Sequence, residues 1–176
     1  MFNANEPEFG SASVISSGML YVYGCGIPSS STDKGCRLGR VSAANVLDRN
    51  AWSYYAGYGN WSAEIGDAIP LFSGSNILSV EWNNYLQQFL AVYSAPFSQD
   101  VEMRTAPNPE GPWSLETTAF TAMASEGGNV YDALAHSEYD ANGGQTIYVS
   151  YSRNLPAPFT SEVRLVAVEL SATGEQ

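Results

Sequence analysis

One histidine and a small set of carboxylates bound the chemistry open to this sequence. Glu81 in "SVEWN", Asp132, His136 and Glu138 in "YDALAHSEY", and Glu64 and Asp67 in "WSAEIGDAIP" sit in or beside aromatic runs. Two facing carboxyl groups are the minimum apparatus of glycoside hydrolysis, ~5–5.5 Å apart for retention or ~6.5–9.5 Å for inversion. Glu81, His136 and Glu138 are the catalytic candidates, with Asp132 and Glu64 as substrate contacts. His136 is the only histidine, so any imidazole step must use it. In its neutral form it can hydrogen-bond a sugar or hold an ion. Trp61, Trp82 and Tyr58 offer flat apolar faces against which the C–H face of a sugar can lie. Each has a plainer reading: Glu81 paired with Arg104, His136 as a satisfied structural group, the tryptophans as core.

Other chemistries lack their parts. One histidine and the two cysteines Cys25 and Cys36 do not assemble a zinc site. No G-x-S-x-G elbow accompanies His136, and no phosphate-cradling glycine loop opens a helix. No cofactor is expected, although Ca²⁺ in an oxygen-rich channel stays open because hard-cation sites leave little spacing signature. The net charge is −11 and Lys34 is the only lysine, so binding a nucleic acid through Lys and Arg is not expected. No apolar run approaches the ~20 residues of a membrane-spanning helix.

The positioning elements are strands. Of the 176 residues 44% are hydrophobic and 12% aromatic but only 14% charged, against roughly 25% in average soluble proteins. Short alternating runs separated by Gly, Pro, Asn and Ser predict an all-β fold. "MLYVYG", "FLAVYS" and "IYVSYS" form one strand type; "CRLGRV", "VEMRTA" and "EVRLVA" form a second, with Arg40, Arg104 and Arg164 spaced 64 and 60 apart. "AWSYY" and "PWSLE" form a third, with Trp52 and Trp113 61 apart. "GSASVIS", "NILSVEW" and "YDALAHS" precede the first type.

About sixty residues carrying four strands is the size of a β-propeller blade. The predicted blades span about 9–58, 75–118 and 130–170, within a single partial propeller domain over 1–176. Three blades are fewer than the four to eight of a closed ring. The expectation is therefore the C-terminal part of a longer protein whose N-terminal blades complete the ring; a sandwich of about eleven strands is the alternative. "RTAPNPEGPWSLE" reads as a rigid elbow, with Trp113 anchoring the outermost strand of the second blade. Cys25 and Cys36 face each other across a hairpin mouth, where a disulfide would suit secretion, as would the sequon Asn60-Trp61-Ser62; two free thiols in a reducing compartment are the alternative. "YDANGGQT" reads as a turn held by Asp140 and Asn142.

"RTAPNPEGPWS", "SVEWNNYLQQFLAVYS" and "ALAHSEYDANGGQTIYVSYSR" resemble the C-terminal blades of the domain-of-unknown-function family numbered 4185. The resemblance runs from about residue 9 to 170 and implies a five-bladed propeller related to furanosidase glycoside hydrolases, some of them endo-D-arabinanases. It implies a secreted or cell-surface protein with carboxylates in a central funnel lined by the first strand of each blade, and decisive acids partly in N-terminal blades. The partner so implied is a furanose-containing polysaccharide such as arabinan, cleaved or, in a non-catalytic propeller, only bound.

Overall fold

The computed structural model describes residues 6–26 and 34–171. The loop interior between the two cysteines and most of "SATGEQ" lie outside the described residues. Three antiparallel sheets account for the architecture, and among the described residues the only helical elements are short 3₁₀ turns. The first sheet orders β1 (Phe9–Ser16), β2 (Met19–Cys25), β3 (Gly35–Ser42), β4 (Ser53–Gly57) and β5 (Asn60–Ser62), with β6 (Phe72–Ser73) paired to β3. The second comprises β7 (Leu78–Asn83), β8 (Gln88–Ser94), β9 (Asp100–Ala106) and β10 (Thr117–Thr121); the third, β11 (Val130–Ala135), β12 (Thr146–Asn154) and β13 (Ser161–Glu169). The chain divides into a unit of residues 1–76 with 109–113 and a unit of 77–108 with 114–176.

In the first unit β2 is the buried centre because its Tyr, Val and Cys side chains suit a strand covered on both faces; Tyr23, Cys25 and Leu38 are fully inside. Cys25 pairs with Cys36 in the β2–β3 register, and the two form the expected disulfide. The elbow behaves differently from expectation. Trp113 does not brace the outer strand of the second sheet: its ring lies 5.0 Å from Phe72 and 6.1 Å from Tyr23. The Tyr23 hydroxyl and the Trp113 indole N–H both donate to the Pro109 carbonyl, at 2.6 and 3.2 Å. The outer strand is Thr117–Thr121 rather than "PWSLE". A tryptophan beside proline follows the larger apolar surface rather than the sequence repeat.

The second unit has one core, in which Leu90, Val92 and Val101 of the second sheet meet Ala133, Ile147 and Val149 of the third. Arg40 and Arg104 occupy equivalent positions opposite Tyr21 and Ala91, the third residues of their neighbouring runs. Arg164 departs from the repeat: it pairs with Tyr151, two residues further along, and its side chain meets only Glu162 at the surface. Arg104 is buried. Its Nε donates to the Tyr93 hydroxyl at 2.9 Å, one Nη to the Ser114 carbonyl at 2.7 Å, and the other pairs with Glu116.

Since Glu116 is half exposed, the Arg104 contribution comes mainly from its two interior hydrogen bonds. Arg104→Ala is expected to lower unfolding free energy by about 2–4 kcal/mol in urea titrations, by orphaning the Ser114 carbonyl and Tyr93. Arg104→Lys is expected to restore only part, because a point charge cannot span the fork. Full stability of the lysine variant would show that the fork geometry is immaterial.

Candidate functional site

Glu81 is placed by alternation along β7. Ser79, Glu81 and Asn83 share one face of the strand, and Leu78, Val80 and Trp82 the other. The two polar neighbours of Glu81 both reach the third sheet: the Ala135 N–H donates to Ser79 Oγ at 2.8 Å, and Asn83 Nδ2 donates to the Gly144 carbonyl at 2.8 Å. Glu81 is thereby held in the seam between β7 and the segment after β11. Gly144 has a φ of +92°, and an added Cβ would come within 3.0 Å of Asn83 Nδ2, so only glycine fits this close approach.

The segment after β11 carries the remaining groups. His136 directly follows β11 and caps a 3₁₀ turn over Ser137–Tyr139. Both its ring nitrogens are engaged: Nδ1 lies 3.3 Å from Glu138 Oε1 and Nε2 lies 2.7 Å from Ser150 Oγ. Ser150 reaches it because β12 pairs Ser150 with Leu134. His136 therefore orients Glu138 rather than presenting a free nitrogen. Glu81 Oε1 and Asp140 Oδ1 are buried without a hydrogen-bond partner.

Burial, then the nearby Asp140 charge, raises the Glu81 carboxyl from 4.5 to about 7, with Ser137 donors opposing the shift and Glu138 adding to it. Asp140 is raised too, by burial first and Glu138 second. A largely buried carboxyl with one unpartnered oxygen and acidic neighbours keeps its proton because the charged form has lost water and faces like charge. Arg104 does not relieve it, since that guanidinium is committed to Tyr93, Ser114 and Glu116. By its sequence Asp140 is a turn residue. The turn is real, with Asn142 Nδ2 donating to Thr146 Oγ1 at 2.9 Å, but Asp140 also acts electrostatically on Glu81. Ser137 and Ser150 carried no signal in the sequence, because a serine becomes informative only once strand register brings it to a partner.

The other candidates are distributed as follows. Asp132 sits on β11 with φ +55°, at the register shift between Tyr131 and Leu134, and burial raises its carboxyl. Trp82 is 40% exposed, facing away from Glu81, with its ring edge-on to Phe89 at 5.1 Å. Trp61, Tyr58 and Glu64 belong to the first unit. One face of Trp61 is covered by the Arg40 guanidinium, 3.7 Å above the ring, and Tyr55 and Tyr21 meet it edge-on. Tyr58 stands fully exposed at a turn, and Glu64 precedes an exposed 3₁₀ turn without capping it. Depressions of about 680, 650 and 360 Å³ in the second unit are lined by other residues than Glu81 and His136. Among the described residues no group of three or more His, Cys, Asp or Glu side chains is disposed to hold a metal ion, and no helix is long and apolar enough to cross a membrane.

Comparison with known proteins places this geometry. The family model "domain of unknown function (DUF4185)" matches residues 2–155. No curated protein matches the sequence. Among solved structures, an unconfirmed hydrolase from Bacteroides ovatus superposes with a TM-score of 0.62 at 18% identity, over 82% of this chain and 38% of that one. A thermostable family-43 glycoside hydrolase gives 0.58 at 14% identity, and an endo-1,4-β-xylanase from Bacteroides thetaiotaomicron gives 0.55 at 16%, each over 93% of this chain and 48% of the other. The chain thus spans less than half the length of these structures. At such identities the likeness shows the fold alone, all-β and propeller-like.

Since the folded chain holds the Glu81 proton more tightly than the unfolded chain, this group imposes no penalty below about pH 4.5, a growing one up to about pH 7 and a constant one above. The penalty is at most about 3 kcal/mol and is reduced by whatever water reaches the carboxyl. Glu81→Gln is expected to raise the melting temperature by about 2–6 °C at pH 8 relative to wild type and to leave it unchanged at pH 4. A difference independent of pH in calorimetry would show that Glu81 titrates normally.

Proposed function

The chain belongs to the DUF4185 family, and from that membership and its glycoside-hydrolase-type fold we propose that it forms part of a five-bladed propeller acting on a furanose-containing polysaccharide such as arabinan. The observation that carries this reading is Glu81: a carboxyl held in an acidic seam with a buried, unpartnered oxygen and raised to about 7. A glycosidase needs such a group, since its general acid must still hold a proton at working pH.

In this reading Glu81 donates its proton to the glycosidic oxygen as the bond to the anomeric carbon breaks. The Glu138 and Asp140 carboxylates favour the positive charge that develops on the sugar ring. His136 positions Glu138 through Nδ1 while Ser150 fixes the other side of the ring. The second reacting carboxyl and the facing wall of the cleft come from outside the three sheets, consistent with a chain that spans under half of the solved hydrolases it superposes on. Within the second unit, the exposed ring of Trp82 and the Asp132 carboxyl are further contacts open to the same polymer. The Cys25–Cys36 disulfide favours an oxidising, extracellular location.

A non-catalytic carbohydrate-binding role is the competing reading, favoured by the placement of the larger depressions away from Glu81. Reducing-end release from arabinan by the full-length protein separates the two. The hydrolase reading expects turnover that declines above pH about 7 as Glu81 loses its proton. Glu81→Gln is expected to remove about 10²–10⁴-fold of kcat, and His136→Ala a smaller factor. Wild-type turnover in both variants would remove them from the mechanism, and no product from any furanoside polymer would favour the binding reading.

A further inference from the structure

The second and third sheets end in hairpin tips of the same sequence type. Ala95-Pro96-Phe97-Ser98 joins β8 to β9, and Ala157-Pro158-Phe159-Thr160 joins β12 to β13. In each, the N–H of the fourth residue donates to the carbonyl of the first at 3.3 Å. Proline stands second and a left-handed residue third, an arrangement in which the third position ordinarily takes glycine or asparagine. Here it takes phenylalanine twice, at φ +60° and +57°. Both rings are fully exposed, at 106% and 109%. A bulky side chain held in a disfavoured backbone region, without burial in return, marks a position kept for what it meets outside the chain.

The surface between the tips is shaped to receive something. Two depressions of about 680 and 650 Å³ share Gly128; Phe159 lines one and Phe97 the other. At Gly128 an added Cβ would come within 2.4 Å of Ser125 Oγ and 2.7 Å of the Asn154 carbonyl, so the floor stays bare. The Asn129 and Asn154 side chains are exposed, and neither amide makes a hydrogen bond to another described residue. Glu126 is the only charged residue lining either depression. This groove lies at the opposite end of β11 from His136, because Val130 pairs with Arg153 at the hairpin end of β12 while His136 follows Ala135.

We propose that this groove is a second, non-catalytic carbohydrate-binding site for a neutral polysaccharide. Exposed aromatic faces suit the C–H faces of sugar rings, and planar amides with uncommitted donors and acceptors suit paired hydroxyls. The groove offers no cation for an anionic ligand, and a chain of net charge −11 is repelled by anionic membranes. The uncommitted amides also argue against a purely hydrocarbon partner, since burying them unpaired is unfavourable. The site goes beyond the hydrolase reading and does not depend on turnover at Glu81.

Affinity electrophoresis of the full-length protein through gels containing arabinan, xylan, galactan or hydroxyethylcellulose tests it, with phosphatidylcholine vesicle flotation in parallel. Retardation is expected in at least one gel, with binding weakened at least tenfold in the Phe97→Gly/Phe159→Gly variant and retained in Glu81→Gln. Glycine suits both backbone positions, so the melting temperature is expected to hold or rise. A fall of several degrees would make the phenylalanines structural and overturn the proposal. So would equal retardation of wild type and double variant, loss of retardation in Glu81→Gln alone, no retardation in any gel, or phenylalanine-dependent binding to vesicles instead of polysaccharide.

Discussion

The constraint on which the second unit depends is the unpaired edge of β11. A strand at the end of a sheet carries backbone N–H groups that must find partners if they are buried. Here serine hydroxyls of the second sheet supply them: the Ala133 N–H donates to Ser94 Oγ at 3.0 Å and the Ala135 N–H to Ser79 Oγ at 2.8 Å. These contacts fix the height of β7 against β11, and the Asn83–Gly144 hydrogen bond fixes its far end. Glu81, between Ser79 and Asn83 on the same face, is carried into the seam with them. Its desolvation is a consequence of satisfying a sheet edge, and its raised carboxyl follows from that desolvation.

The charge distribution completes the effect. Six arginines and one lysine in 176 residues leave few cations to neutralise buried acids. Arg104 is committed to its own sheet and Arg153 to Glu162 and the Met123 carbonyl. The seam is thus left with Glu81 and Asp140, the exposed Glu138 beside them, and a single imidazole already held from both sides. In most folded proteins such a group of acids would acquire a basic partner or move into solvent. Persistence of an unpartnered buried oxygen on two of them is a departure of the kind that perturbed functional carboxylates show.

Much of the fold was legible because the repeat is written in strands. Periodicity of two locates ten of the strands to within a few residues, and recurrence of Tyr, Val and Arg at common spacing orders them into three sheets. The misreadings share one cause. "PWSLE" enters the repeat through its tryptophan and "EVRLVA" through Arg164, yet neither residue type fixes register. Trp113 is drawn to Phe72 and Tyr23, and Arg164 at the surface has no interior bond to hold it in the place that Arg104 occupies. The carboxylates and histidine of the candidate site stand out in the sequence by residue type, but the groups that hold them do not. Ser79, Ser137 and Ser150 are ordinary serines until tertiary contact makes each a donor or acceptor, and Asp140 sits in so good a turn sequence that its effect on Glu81 was hidden.

The two ends of β11 show what this arrangement makes possible. At the His136 end, hydrogen bonds between sheets are dense and side chains are acidic, so geometry is held tightly enough to shift a carboxyl. At the Val130 end the hairpin tips are exposed, and glycine-rich chain with Glu126 as its one charged lining residue lies between two exposed rings. A stiff acidic seam suits one bond or one proton, whereas an open aromatic groove suits weak, repeated contact along a polymer. Both arise from the same antiparallel sheets because the sheets constrain only the strands. What lies beyond each strand end is free to differ, and in this unit the two ends have diverged in charge, packing and shape.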